Sequence, residues 1–179
     1  MGLHFYDVDV NYVKYLQETE RIHRGFTKVP NMEYSDKHER KMVCGVVIEL
    51  NTFKYYVPVS SYKQKQDNNI LIILKDDAFN KVKGSLRFNY MFPIDDEYVT
   101  VRDFKKEKTQ SRKLFLHRQL VYCDSIKDDI YAMAEKTYND IVNKVDDKLL
   151  ENSCDFTLLE RACASYRTRQ EIAFTQENI

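Results

Sequence analysis

Two β-prone runs, 42–50 and 53–59, are separated only by Asn51-Thr52, and this arrangement constrains the fold more than any other stretch. Val43, Val46, Val47, Ile48 and Leu50 fill the first run; Phe53, Tyr55, Tyr56 and Val57 fill the second. β-Branched and aromatic residues favour extended backbone, so a short polar break between two such runs predicts a hairpin. Gly45 marks a weak point or bulge in the first strand. The second strand reaches Pro58 and then gives way to two hydroxyls, Ser60 and Ser61, and two cations, Lys63 and Lys65. Hydroxyls both donate and accept hydrogen bonds, and Lys is a mobile point charge with three donors. The exit of this strand is therefore a candidate phosphate-handling site, although a strand followed by an ordinary polar loop has the same composition.

The rest of the chain supplies partners for that hairpin. Residues 3–6 are apolar and aromatic and predict a short strand. Asp9 or Asn11 caps a helix whose apolar face is Tyr12, Val13, Tyr15 and Leu16, ending near Gly25. Residues 27–41 read as a polar loop. Asp67-Asn68-Asn69 is a turn, 70–74 an apolar strand, 75–81 a loop, 84–94 a strand ended by Pro93, and 98–101 a short strand. Apolar steps of three and four from Ser111 to about Lys144 predict one long helix or two joined near Asn139. A last helix starts around Asn152 to Asp155, and the polar tail after Arg167 is expected to fray. Strands followed by helices argue for an α+β fold with a largely antiparallel sheet, in a single domain over 1–179.

Charge excludes some roles. The 28 basic residues balance 28 acidic ones, which argues against a protein that coats nucleic acid generally; a polyanion has to be met by a local patch. One such patch spans Arg102 to Arg118, with Arg102, Lys105, Lys106, Lys108, Arg112, Lys113 and Arg118 against Asp103 and Glu107. A second runs from Arg21 to Lys41 and includes Arg40 and Lys41. Lys54 and Lys65 flank the hydroxyl pair. The 13 tyrosines and 10 phenylalanines suit base stacking as well as core packing.

Cys44, Cys123, Cys154 and Cys163 form no C-x-x-C pair and read as buried reduced thiols rather than a zinc site. No run suits a membrane span or a signal peptide, so a cytoplasmic location is expected. The carboxylate clusters Asp76-Asp77, Asp95-Asp96-Glu97 and Asp146-Asp147 lack a second ligand set, so neither a metal nor any other cofactor is expected.

Several stretches together resemble the toxin family of type III toxin–antitoxin systems, the ToxN and AbiQ endoribonucleases. They are Phe5-Tyr6 with 12–16 (Tyr-Val-Lys-Tyr-Leu), 45–50 (Gly-Val-Val-Ile-Glu-Leu), 54–63 (Lys-Tyr-Tyr-Val-Pro-Val-Ser-Ser-Tyr-Lys), 86–94 (Leu-Arg-Phe-Asn-Tyr-Met-Phe-Pro-Ile) and 154–160 (Cys-Asp-Phe-Thr-Leu-Leu-Glu). The resemblance implies a compact twisted antiparallel sheet or partial barrel flanked by helices, like MazF and Kid. It implies metal-independent RNA cleavage, inhibition by a small repeated RNA in a closed assembly, and a role in aborting phage infection. The family's active-site segment matches Pro58, Val59, Ser60, Ser61 and Lys63, and its N-terminal active-site tyrosine falls on Tyr12.

On that footing the expected reaction is attack of a ribose 2′-hydroxyl on its neighbouring phosphate. Lys63 would stabilise the phosphorane or protonate the leaving oxygen, Ser60 and Ser61 would orient the phosphate, and Tyr12 would bind it or stack on a base. No general base stands out: a lysine lowered toward neutrality by neighbouring cations, His23, His38 and His117 are all open, and the sequence does not choose among them. A non-catalytic RNA-binding module on the same sheet is the competing expectation.

Overall fold

The computed structural model describes residues 2–33, 41–76 and 79–177; His38, Arg40 and Asp77 of the readings above lie outside them. In chain order the elements are β1 (Phe5–Val8), α1 (Val10–Arg24), β2 (Val43–Leu50), β3 (Phe53–Ser60), β4 (Asn69–Asp76), β5 (Phe79–Arg87), β6 (Phe92–Pro93), β7 (Val99–Val101), α2 (Gln110–Ser125), α3 (Lys127–Val142), α4 (Asp147–Glu151) and α5 (Phe156–Glu177). The strands run β4-β5-β3-β2-β1-β7, with β6 also beside β3. Every pairing is antiparallel. β4 and β7 are the two edges, so the sheet is open. α2 packs on β4, α3 on β2, α5 on β6, and α1 on α5. Among the described residues no helix is long and apolar enough to cross a membrane.

The expected hairpin is the middle of this sheet. β2 and β3 pair from Leu50↔Phe53 to Val43↔Pro58, and the register slips between Cys44 and Ile48. Gly45 sits in that irregularity with φ +35°. Tyr55, Tyr56 and Val57 of β3 are buried with Leu86, Phe88 and Phe92, while Leu16, Leu116, Ile130, Phe156 and Leu159 cover them from the helices.

α1 follows its local signals closely. Asp9 accepts the Tyr12 N–H at 2.8 Å, and Gly25 closes the helix in the left-handed region with φ 79°. Such a cap contributes about 1 kcal/mol. α5 likewise begins where Asp155 accepts from the Leu158 N–H, and it stays helical to Glu177, beyond the expected fraying point at Arg167.

Elsewhere the structure departs from expectation. Of the loop expected over 75–81, residues 75–76 and 79–81 belong instead to strands: β4 and β5 pair as far as Asp76↔Phe79. The strand expected over 84–94 ends at Arg87. A 3₁₀ turn at Phe88–Tyr90 then buries Phe88 and Asn89 before β6. The long helix breaks at Ile126 rather than near Asn139, because Ile126 leaves helical geometry while Asp128 and Asp129 open α3. Acidic residues in a first turn complement the helix dipole, so this is a good new start. α4 was not legible; Asp146 caps it by accepting the Leu149 N–H.

One buried carboxylate ties the chain ends together. Glu20 is fully buried. Its Oε1 accepts from Arg24 Nη1 at 2.9 Å and the Asp155 N–H at 2.8 Å. Its Oε2 accepts from Thr27 Oγ1 at 2.8 Å, the Lys28 N–H at 2.6 Å and the Val29 N–H at 3.3 Å. Burying a charge is tolerated only with such partners.

Candidate active site

The exit of β3 opens into a groove of about 720 Å³. Its floor is Pro58, Val59, Ser60 and Ser61 of the β3 exit together with Met42 at the entry to β2. α2 contributes Arg112, Phe115 and Gln119; β5 contributes Lys83 and Arg87; Tyr90, Lys41 and the segment from Lys28 to Met32 complete the lining. Five cations, Lys28, Lys41, Lys83, Arg87 and Arg112, therefore surround two hydroxyls, and no carboxylate is among the lining residues described. A cleft with one sign of charge concentrates counter-ions and charged substrates.

The backbone fixes this arrangement. Beyond Ser60 the chain turns, and Ser60 Oγ accepts from the Tyr62 N–H at 3.1 Å. Ser85 Oγ donates to the Tyr62 carbonyl at 2.8 Å from the facing strand. In β5 the register passes from Ile72↔Gly84 to Ile73↔Val82, which leaves Lys83 as the extra residue of a bulge. Bulges re-aim a side chain beside a site, and here the re-aimed side chain lines the groove. Next to it Gly84 lies so close to β3 that an added Cβ would stand 2.5 Å from the Ser60 carbonyl oxygen. Lys41 reaches the groove with its Nζ bound to the Asn31 carbonyl at 2.5 Å.

Of the expected catalytic group, Ser60 and Ser61 meet in the groove. Lys63 is exposed just past it and is not among the lining residues. Tyr12 corrects the expectation: it is fully buried and its hydroxyl donates to the Pro93 carbonyl at 2.7 Å. Its ring stacks on Tyr98 at 4.9 Å. Burial first, and then Cys163, pushes its pKa well above the ordinary phenol value, so it stays a neutral donor inside the core.

The expected RNA-binding cations divide. Arg112 and Lys41 line the groove. Arg102 does not serve as a surface cation: it is buried between Asp7 and Glu107, at 3.3 and 2.6 Å. Lys54 is paired with Asp96 at 2.6 Å, and that hydrogen bond raises its pKa. Lys65 pins its own loop by donating to the Gln66 and Asn69 carbonyls. Arg118 donates to the Lys75 carbonyl. Lys105, Lys106 and Lys108 are exposed and Lys113 is half-buried, all outside the lining. His117, exposed on α2, and His23, whose Nδ1 meets the Thr19 carbonyl, also lie outside it. Lys83 and Arg87 were missed. Their four-residue spacing puts them on one face of a regular strand, but only the pairing of β5 with β3 brings that strand to the hydroxyls.

Known proteins resemble this chain in sequence and fold. The family model for toxin ToxN of type III toxin–antitoxin systems matches residues 4–164. The chain is 28% identical to the endoribonuclease AbiQ of Lactococcus lactis subsp. lactis, over 93% of this chain and 90% of that one. It is 27% identical to the endoribonuclease ToxN of Bacillus thuringiensis subsp. kurstaki, over 93% and 86%. The solved structure of AbiQ, described as a lactococcal anti-phage endoribonuclease, superimposes with a TM-score of 0.75 at 26% identity, covering 94% of this chain and 99% of AbiQ. A toxin solved in work on selective inhibition by a non-coding RNA pseudoknot shares the fold, with a TM-score of 0.76 at 23% identity over 93% of this chain and 99% of that one. With an open antiparallel sheet, a hydroxyl-bearing β3 exit and a family match over most of its length, the chain belongs to the ToxN toxin family of type III toxin–antitoxin systems.

Proposed function

We propose that the protein is a metal-independent endoribonuclease toxin acting in the cytoplasm, held in check by a repeated small RNA with which it forms a closed assembly. The observation that carries this reading is the groove itself, in which five cations meet Ser60 and Ser61 without a carboxylate among the described lining residues. RNA is the polyanion whose own 2′-hydroxyl can act as nucleophile. The likeness of the sheet to MazF and Kid belongs to the same reading.

In the proposed reaction the 2′-hydroxyl gives up its proton to solvent water, its oxygen bonds to phosphorus, and the P–O5′ bond breaks as the departing oxygen takes a proton from Lys63, which solvent then reprotonates. The products carry a 2′,3′-cyclic phosphate and a 5′-hydroxyl. Ser60 and Ser61 hold the phosphate by hydrogen bonds, and the surrounding cations stabilise the charge that grows on the phosphorane. Lys63, on a flexible stem just beyond the hydroxyls, reaches in to the leaving oxygen. Electrostatic stabilisation of this kind is worth about 3–4 kcal/mol per well-placed donor.

The test is cleavage of labelled RNA by the purified protein, with the ends identified and excess chelator present. Ser61→Ala and Lys63→Ala should each lose at least about a hundredfold in rate. Cleavage abolished by chelator would refute the metal-free mechanism, and Lys63→Ala cleaving normally would remove that residue from it. A protein that binds RNA tightly but never cuts it would be the binding module instead.

A further inference from the structure

Arg87 is held in an unusual way. Its guanidinium lies 4.8 Å from the ring centre of Tyr62 and 4.2 Å from that of Tyr90. Nη2 donates to the Tyr90 hydroxyl at 3.2 Å and to Gln66 Oε1 at 3.3 Å. Nε is buried without an acceptor. Arg24, Arg102 and Arg167 each face a carboxylate. Arg87 faces none among the described residues; two aromatic rings and neutral oxygens hold it where it lines the groove beside Ser60 and Ser61.

A half-buried cation without a counter-ion calls for an anion from outside, because its charge is only partly offset by ring quadrupoles. Two rings, at 4.8 and 4.2 Å, and hydrogen bonds to the Tyr90 hydroxyl and Gln66 restrain the guanidinium before any ligand arrives, so little reorganisation remains at the moment of reaction. That is the condition under which a charge stabilises a transition state most. Lys83, Lys28 and Lys41 end in flexible ammonium groups, whereas Arg87 is planar and oriented in advance.

Building on the nuclease reading above, we infer that Arg87 is a catalytic residue whose guanidinium donates to a non-bridging oxygen of the phosphate under attack. Tyr62 and Tyr90 are positioning residues that hold it by cation–π contact, Tyr90 also through its hydroxyl. Arg87 neither takes nor gives a proton; it stabilises the added negative charge while the 2′-oxygen bonds to phosphorus and the 5′-oxygen leaves.

The probe is a long 5′-labelled RNA containing every dinucleotide step, with single-turnover rates, kcat and KM measured beside the urea midpoint of each variant. R87A should lower kcat about a hundredfold with little change in KM. R87K should fall with it, since an ammonium lacks the planar fork of preoriented donors that a guanidinium presents to phosphate oxygens. Y62L and Y90L should lose roughly tenfold as the guanidinium loosens, and Y62F, which keeps the ring, should lose less than Y62L. If R87A does not fold, R87K and Y62L, which keep a cation, carry the test. R87K cleaving as fast as the unaltered protein, or R87A changing KM alone, would overturn the inference. Unaltered protein that leaves the RNA intact overturns the nuclease reading and this inference with it; cleavage indifferent to both Arg87 variants overturns only the role of Arg87.

Discussion

Replacing Glu20 by Gln is the sharpest test of what holds the groove wall in place. The carboxylate accepts five hydrogen bonds, two at Oε1 and three at Oε2. A glutamine keeps one oxygen and turns the other into a donor. In its better orientation the amide oxygen serves Thr27, Lys28 and Val29, and the amide nitrogen then confronts Arg24 Nη1 and the Asp155 N–H. Each buried donor left without an acceptor costs about 1–3 kcal/mol, and breaking a buried ion pair about 3–5 kcal/mol. Arg24 retains the Ser153 and Leu150 carbonyls, which offsets part of that loss. The net expectation is about 3–5 kcal/mol, a large part of the ~5–15 kcal/mol that stabilises an ordinary domain. Urea unfolding measures it as a lower midpoint at unchanged slope. The segment from Thr27 to Val29 also places Lys28 in the groove, so RNA affinity should fall before the fold is lost. A loss under about 1 kcal/mol would mean that the five contacts are not a cooperative buried network and would refute the reasoning.

Two further outcomes follow from the structure. Gly84→Ala must separate β5 from β3, because the new Cβ would stand 2.5 Å from the Ser60 carbonyl oxygen. Stability should fall by about 1–3 kcal/mol and cleavage by about a hundredfold, and full activity in a folded variant would show that the hydroxyls tolerate the shift. At alkaline pH, burial holds the pKa of Tyr12 and Tyr55 well above the ordinary 10.0, and that of Tyr138 is pushed up to about 12. Raised folded values mean stability is complete below about pH 10 and lost as pH rises through them, by up to about 1.4 kcal/mol per pH unit for each fully buried ring. The share of tyrosinate absorbance that belongs to these buried rings should appear only together with loss of circular dichroism; ionisation of all 13 tyrosines with the fold intact would contradict this.

What could be read from the sequence was whatever is decided locally. The β2–β3 hairpin, the Asp9 cap, the Gly25 stop and the hydroxyls at the strand exit each depend on a few neighbouring residues. What could not be read depends on distant ones. Glu20 looks like any helix-surface glutamate until residues 27–29 and 153–155 fold over it. Arg102 belongs to a basic run in sequence, yet Asp7 from β1 and Glu107 draw it inward. Tyr12 is removed from the groove by the Pro93 carbonyl, 81 residues away. Lys83 and Arg87 join the site only through a bulge and a pairing register that no alternation pattern announces.

The stack of Tyr12 on Tyr98, with Tyr166 edge-on to both at 5.2 Å, has a consequence for timing. The Tyr166 ring and the Asp155 amide that satisfies Glu20 lie far along the chain from the helix they complete, Asp155 being 135 residues beyond Glu20. Until that later stretch is made, α1 has no finished surface to settle on, and chains of this size generally fold as units once their pieces are present.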